Sequence, residues 1–387
     1  MDSDVCIVGG GLVGGTLALA LSGIGLQVAL IDGATRPTQS SQPFDLRVFA
    51  LRPGSIDFLA RCGVWPRLSP SRVADVQRMI VHGDDGESVL AFDAYRSGMP
   101  RLAAIVEDSS LQSALQACLA EAPMVQRLAG RSCVGAEWSA QAVAVTLDDG
   151  TTIESALVVA ADGADSRLRA LAGIEVHAKE YGQLGVVANF RAAEAHRDTA
   201  CQWFCEDGVL ALLPLPDQHV SMVWSAPEPH ARALLAMTAA ELAETVTRKS
   251  GSALGVLSAL GPARAFPLRR LRAESIVGAR VALVGDAAHN VHPLAGQGLN
   301  LGLADAQALA EVLAGRGPGE DPGCRALLAR YRRARAEEIA SMTWVTDGLH
   351  SLFASGLPGM SWLRNAGLRI TDRLPPLKHA LVKRAAG

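Results

Sequence analysis

Asp4-Val-Cys-Ile-Val-Gly-Gly-Gly-Leu-Val-Gly14, continued through Gln27-Val-Ala-Leu-Ile-Asp32, decides the fold. Val5 to Val8 is short, apolar and β-branched, which predicts a buried parallel strand. Gly9-x-Gly11-x-x-Gly14 follows, with Leu12 and Val13 between the last two glycines. Thr16 to Ser22, rich in Ala and Leu, predicts a helix that Gly23 and Gly25 stop. Val28 to Ile31 predicts a second strand ending on Asp32. Gly9 permits the tight turn, Gly11 lets backbone approach a pyrophosphate, and Gly14 lets helix pack on strand. The helix N-terminus offers free N–H groups and partial positive charge. Asp32 stands where a carboxylate accepts from a ribose. The alternative is a glycine-rich turn without ligand. The unit fits FAD and NAD equally.

A chain of 387 residues, 49% hydrophobic and 19% charged, has material for two domains or one with an insertion. A net charge of −3 gives no electrostatic case for nucleic acid. Seven scattered cysteines and a nucleotide unit that starts at Asp4 predict free thiols, no secretory leader and a cytoplasmic protein. Cys201-x3-Cys205 lacks a second pair at metal spacing, and His289 and His292 lack a third ligand, so no metal is expected. No apolar run reaches the roughly 20 residues of a membrane span.

Downstream of a polar loop at 34–43, Arg47 is placed to reach dinucleotide phosphates; the alternative is an Arg on an exposed helix face. Pro53 to Cys62 predicts a helix. Met79 to His82 and Ser88 to Phe92 flank Gly83-Asp-Asp-Gly86 and predict a hairpin that opens a separate sheet. Ile105 to Ala120 predicts a helix with Asp108 as N-cap. Ala156 to Ala161 predicts a buried strand ending in Asp162-Gly163, at the strand end where α/β chemistry gathers. The alternative there is an ordinary turn capped by Asp or Ser. Residues 181–225 alternate like antiparallel strands, with Pro214 and Pro216 suggesting an edge or bulge. Ala239 to Lys249 predicts a helix.

A third strand, from Arg280, ends in Gly285-Asp286. Pro293, Gly296, Gln297, Gly298, Leu299 and Asn300 follow, then a helix from Leu301 to Leu313. A carboxylate at a strand end can hold sugar-like hydroxyls. A Gly296/Gly298 loop feeding a helix N-terminus can bring N–H groups to an electron-rich ring edge.

These motifs together resemble the single-component FAD-dependent aromatic hydroxylases, class A flavoprotein monooxygenases of the para-hydroxybenzoate hydroxylase fold. The carriers are Gly9-x-Gly11-x-x-Gly14, Asp162-Gly163, and Gly285-Asp286 with Pro293-x-x-Gly296-Gln-Gly298-x-Asn300. Ala287-Ala-His289, His292 to Leu303 and Leu363 to Lys378 look most like the ubiquinone-biosynthesis hydroxylases.

The resemblance implies an α/β, Rossmann-like FAD-binding domain made of 1–73, 100–179 and 267–340. It carries an inserted, mostly antiparallel β substrate domain (74–99 and 180–266) and a C-terminal helical segment (341–387). By the same resemblance Asp32 holds the adenosine ribose and Arg47 the FAD phosphates. Asp162 serves near the pyrophosphate or the reductant, and Asp286 binds the ribityl chain. Pro293 and Gly296 to Asn300 line the isoalloxazine ring. Relatives often carry Arg where this chain has Asp108, which puts that flavin contact in question, and many have Glu at the position of Asp32.

NAD(P)H would reduce the flavin, and O2 would add at its C4a to give a hydroperoxide that hydroxylates a phenolic ring, here a polyprenylated one. No second G-x-G-x-x-G follows a strand, so no separate reductant domain is expected. His289 is a candidate for proton traffic or a structural histidine, and Pro293 is a second catalytic candidate. Trp203, Phe204, Leu212, Pro214, Val223 and Trp224 are candidates for the substrate wall, with plain sheet core as the alternative. The charged run Arg325 to Met342 reads as a helix with a solvated face. Residues 344–387 read either as a docking surface for the inner membrane or a biosynthetic complex, or as helices packed on the FAD domain. A monooxygenase of a soluble aromatic or xenobiotic, and a non-catalytic flavoprotein subunit, are the competing functions.

Overall fold

The computed structural model describes residues 2–33, 44–205, 207–290 and 297–354. The opening unit is β1 (Ser3–Val8), α1 (Leu12–Gly23) and β2 (Val28–Asp32). β1 and β2 pair in parallel from Val5↔Val28 to Val8↔Ile31. The helix begins at Leu12 rather than Thr16, because Gly11 already takes an extended N-cap conformation.

β3 (Val48–Leu51) leads into α2 (Pro53–Arg61), whose Pro53 presets the first helical turn. β4 (Val73–Val76), the hairpin β5 (Arg78–His82) and β6 (Val89–Asp93), and β7 (Ala103–Glu107) follow. Residues 105–107 are therefore strand and not helix, since Val106 and Ile105 pair with β3 and β4. α3 (Asp108–Ala120) starts one residue earlier than the N-cap reading places it. Glu107 occupies the cap position and Asp108 is the first helical residue.

β8 (Val125–Ala129), β9 (Cys133–Trp138), β10 (Val143–Leu147) and β11 (Thr152–Ala160) precede the short α4 (Arg167–Leu171). Next come β12 (Val176–Ala192), β13 (Thr199–Cys205), β14 (Gly208–Leu215) and β15 (His219–Pro227). They are covered by α5 (Glu228–Ala236), which sequence patterning missed, and α6 (Ala239–Lys249). α6 carries a complete capping box, Thr238 with Glu241. The remaining elements are β16 (Leu257–Ala259), β17 (Arg264–Ala273), β18 (Val277–Gly278), β19 (Val281–Leu283), β20 (His289–Asn290), α7 (Gln297–Ala314) and α8 (Arg325–Ala354).

Among the described residues the strands form three sheets. The first has the order β18-β19-β11-β1-β2-β8, with β10 and β9 attached beside β11. β19, β11, β1, β2 and β8 are all parallel, so their carboxyl ends emerge on one edge. The second runs β20-β17-β12-β15-β14-β13-β5-β6, antiparallel except between β13 and β5. The third is the small β3-β7-β4 sheet. Ala74 to Val76 thus pairs beside β7 and not with the second sheet, which takes up the chain from Arg78. His289 and Asn290 pair with Arg272 and Leu271 as a short strand.

The main core lies between the parallel sheet and helices α1, α3, α7 and α8. A second core lies between one face of the large sheet and α5/α6. The sheet's opposite face meets the β3-β7-β4 sheet through Phe44, Ala74, Val76, Ile105, Ala200 and Leu215. Pro214 sits inside β14 opposite Val220, but β13 pairs with β14 only as far as Leu212. Its missing N–H therefore falls where the strand is locally an edge. α8 is not a wholly solvated helix: Leu327, Leu328, Tyr331, Arg335 and Ile339 are buried. No helix among the described residues is long and apolar enough to cross a membrane. All seven cysteines are free thiols, and burial pushes Cys62 up to about 12 and Cys201 and Cys205 up to about 11.

Candidate active site

Four parallel strand ends build the site. β1 delivers the glycine turn, β2 delivers Asp32, β11 delivers Asp162 and β19 delivers Gly285-Asp286. Residues scattered through the sequence thereby share one sheet edge, where α/β sheets bind ligands.

The glycines are sterically required. Gly9 has φ +112°, and a Cβ there would lie 2.1 Å from the Ala161 carbonyl oxygen. A Cβ on Gly14 would lie 2.0 Å from the Gly9 carbonyl oxygen and 2.9 Å from Ala161 Cβ. The glycine turn is thus pressed against the residue preceding Asp162. Gly11 caps α1 without any side-chain acceptor, and no acidic residue occupies the first turn. The helix N-terminus therefore presents its amides and positive end outward. Val13 is gripped from the other side: Cβ atoms on Gly285 and Gly302 would come within 3.4 and 2.7 Å of its methyls. Beside the end of β2, Gly10, Leu30, Asp32, Gln116, Leu119 and Arg127 line a small concavity.

The two carboxylate oxygens of Asp162 have different surroundings. Oδ2 accepts the Leu168 N–H at 3.1 Å, so it helps cap α4 together with Ser166. Oδ1 is buried with no hydrogen-bond partner among the described residues, next to the glycine turn. Arg169 then donates to the Ala287 carbonyl at 3.0 Å and joins this turn to the Gly285-Asp286 turn.

Asp286 is open to solvent in a concave, protein-dense surround. That surround raises its carboxyl above the ordinary value, against the lowering charges of His289, Arg47 and Arg269. Arg47 is thus brought near Asp286 from a distant part of the chain. It precedes β3 and is not on a helix. Its guanidinium is largely exposed, lies 5.2 Å over the Phe49 ring and stands 4.0 Å from Asp108. Asp108 in turn donates its N–H to the Arg47 carbonyl at 3.0 Å.

Pro293 and Gly296 lie outside the described residues, as does His292; the side chain of Gln297 does too. Gly298 faces open space, where a Cβ would meet nothing within 4 Å. Leu299 packs partly against the main core. Asn300 is buried and its amide turns inward. It accepts the Arg52 N–H at 3.0 Å and donates to the Ala50 carbonyl at 2.8 Å. His289 is buried too, its Nε2 2.7 Å from Asp305 Oδ2 but poorly aligned for a hydrogen bond. Its Nε2 is turned toward the buried Asp305, while its ring lies near enough to Asp286 to act on that carboxyl.

The substrate-wall reading needs correction for most of its members. Trp203, Leu212 and Trp224 belong to the core beneath α5 and α6, and Pro214 shares their side of β14 by strand alternation. Phe204 is packed with Val81, Leu90 and Val209. Val223 lies on the other face, with Val187 and Ala211 as its cross-strand neighbours. On the same face Asn189 donates to the carbonyls of Phe44 and Asp45, which places that face against the segment carrying Arg47.

The donor set fits FAD. Two strand-end carboxylates, Asp32 and Asp286, flank an uncapped helix N-terminus and glycines that no side chain can replace. Sequence reasoning missed Arg52, Asp305, Arg335 and Glu338, which stand behind the Gly285 and Gln297 turns. The signal was present: Arg335 falls on the same helical stripe as Leu327, Tyr331 and Ile339.

The family model described as FAD binding domain matches residues 2–344. The chain is 36% identical to the 3-demethoxyubiquinol 3-hydroxylase of Escherichia coli, covering 100% of this chain and 98% of that protein. It is 34% identical to the ubiquinone hydroxylase UbiL of Rhodospirillum rubrum, covering 100% and 90%. The fold also matches the crystal structure of p-nitrophenol 4-monooxygenase PnpA from Pseudomonas putida, with TM-score 0.78 at 17% identity over 99% and 98% of the two chains. The chain belongs to the class A FAD-dependent aromatic hydroxylases, as a member of their ubiquinone-biosynthesis hydroxylase branch.

Proposed function

We propose that this enzyme hydroxylates the aromatic ring of a phenolic ubiquinone precursor, with FAD as cofactor, NAD(P)H as reductant and O2 as co-substrate. The observation that carries the reading is the convergence of Asp32, Asp162 and Asp286 on one sheet edge around the glycine turn, in a chain aligned end to end with ubiquinone hydroxylases. When bound, FAD supplies the redox chemistry and the activation of O2. The chain supplies position, dryness and charge.

In this reading Asp32 holds the adenosine ribose and the α1 N-terminus faces the pyrophosphate, with Arg47 as counter-charge. Asp286 holds the ribityl chain, and Pro293 with Gly296 to Asn300 form the ring-binding loop, Asn300 by holding its backbone in place. The inserted domain, read as 74–99 and 180–266, takes the substrate on its large sheet, which runs from Arg78 and includes all of β12 and β17; 1–73, 100–179 and 267–340 bind FAD. The substrate lies against the sheet face that carries Val187, Ala211 and Val223. A polyprenyl tail on the substrate, and contact of 344–387 with the inner membrane or a biosynthetic complex, extend this reading to a cytoplasmic protein that works at a surface.

Product analysis tests it. A quinone-deficient strain carrying this gene is expected to convert the accumulated precursor to its ring-hydroxylated successor. Persistence of the precursor, with FAD-loaded protein present, contradicts the substrate assignment.

A further inference from the structure

Asp305, on α7, is fully buried. Its Oδ2 accepts the Gly285 N–H at 2.9 Å and lies 2.7 Å from His289 Nε2. Its Oδ1 accepts from Arg335 Nε at 2.7 Å. Arg335, buried on α8, also pairs with Glu338 and donates to the Leu301 carbonyl at 3.3 Å. Glu338 accepts from Arg52 at 2.6 Å, and the Arg52 backbone N–H reaches Asn300 Oδ1. Two carboxylates and two guanidiniums thus form one connected chain of contacts. It ends on backbone atoms of two turns, at Gly285 and at Leu301.

A buried ionic network is weak as a device for stability alone, because a well-packed apolar set of the same volume often serves as well. What ions add is direction: each of these contacts fixes an angle as well as a distance. The atoms fixed here belong to the turn carrying Asp286 and to the first turn of α7.

We propose that Asp305 and Arg335 are positioning residues for the cofactor: through Gly285 and Leu301 they hold the Asp286 turn and the α7 N-terminus in the geometry that binds FAD. Helix α8 thereby controls flavin affinity from outside the cleft. The proposal rests on the reading of these two turns as the ribityl and ring sites.

The test is FAD titration of the full-length apo-protein by flavin fluorescence, with thermal unfolding of the same samples. Asp305→Asn and Arg335→Met should each weaken FAD by roughly 10- to 100-fold, the scale on which groups that orient ligating residues act. They should also alter the shape of the bound-flavin absorption band. Arg335→Lys should recover part of the affinity. The double variant Asp305→Asn/Arg335→Met leaves neither charge unpaired, so it should regain thermal stability without regaining FAD affinity; it also serves if a single variant fails to fold. Wild-type FAD affinity in the double variant, or single variants that lose stability alone, overturns the proposal whatever Asp286→Asn does. Normal FAD binding by Asp286→Asn beside weakened network variants would instead overturn the ribityl assignment and leave the network's role standing.

Discussion

Gly14→Ala should separate helix position from helix stability. The new methyl would lie 2.0 Å from the Gly9 carbonyl oxygen, against 3.4 Å or more for an ordinary contact. The obstruction is backbone, so the N-terminal turn of α1 must retreat by on the order of an ångström, at about 1–3 kcal/mol of overpacking. A shift of that size carries the turn's amides out of hydrogen-bonding range of a pyrophosphate. Losing two charge-assisted hydrogen bonds at about 1.5–3 kcal/mol each predicts a weakening of FAD by roughly a hundredfold to ten-thousandfold. The control sits in the same helix. Gly23 ends α1 and a Cβ there meets nothing within 4 Å, so Gly23→Ala should leave FAD affinity unchanged and add up to about 1 kcal/mol of stability. The assay is FAD titration of both apo-variants, with flavin stoichiometry after gel filtration. Wild-type FAD affinity in a folded Gly14→Ala protein would refute the close-packing argument.

Asp286 has a raised carboxyl pKa, so the folded chain holds that proton more tightly than the unfolded one. Stability falls as pH rises through the interval between the ordinary and the raised value, and Asp286→Asn should keep or gain thermal stability at neutral pH while weakening FAD in titration. Asp305 and Glu338 go the other way. Burial alone would raise them, but the charges of His289 and Arg335 around Asp305, and of Arg335 and Arg52 around Glu338, hold both below the ordinary carboxylate value. Their contribution is present at neutral pH and lost as pH falls through the lowered values, so in Asp305→Asn the unfolding temperature should drop less steeply over that acid range than in wild type. Trp224→Ala should lose about 3–5 kcal/mol of stability, read by denaturant unfolding, with little change in KM in the surviving protein. Val223→Phe should change KM with a smaller effect on stability; the opposite pattern would place the substrate on the helix side of the sheet.

The nucleotide grip was legible because each of its residues answers a backbone demand. Gly9 and Gly14 have no room for a Cβ, and Asp32 and Asp162 end apolar strands that cannot be mistaken for surface. The face proposed to take the substrate was not legible. Val223 and Trp224 are adjacent and both apolar, and only the packing of α5 and α6 on one side decides which is core. α5 itself was hidden by Pro229 in its first turn, although a proline there is compatible with a helix. Ile105 and Val106 were drawn into the following helix because their apolar spacing continues into Leu111 and Leu115, and only their pairing with β3 and β4 separates them. Arg335 was lost inside a run of arginines. Its composition reads as solvent-facing, whereas its spacing from Tyr331 and Ile339 places it inside. Asn300 stands in the stretch proposed to line the flavin, and its amide fastens that stretch to Ala50 and Arg52 from within.

Heavy-isotope dioxygen tests the central claim most directly. FAD-loaded enzyme, NAD(P)H and a phenolic quinone precursor are incubated under labelled O2, and the product is read by mass spectrometry. The account predicts precursor-stimulated NAD(P)H oxidation and a hydroxylated ring carrying the label. An unlabelled product, or NAD(P)H oxidation indifferent to the precursor with no hydroxylated ring formed, would contradict it.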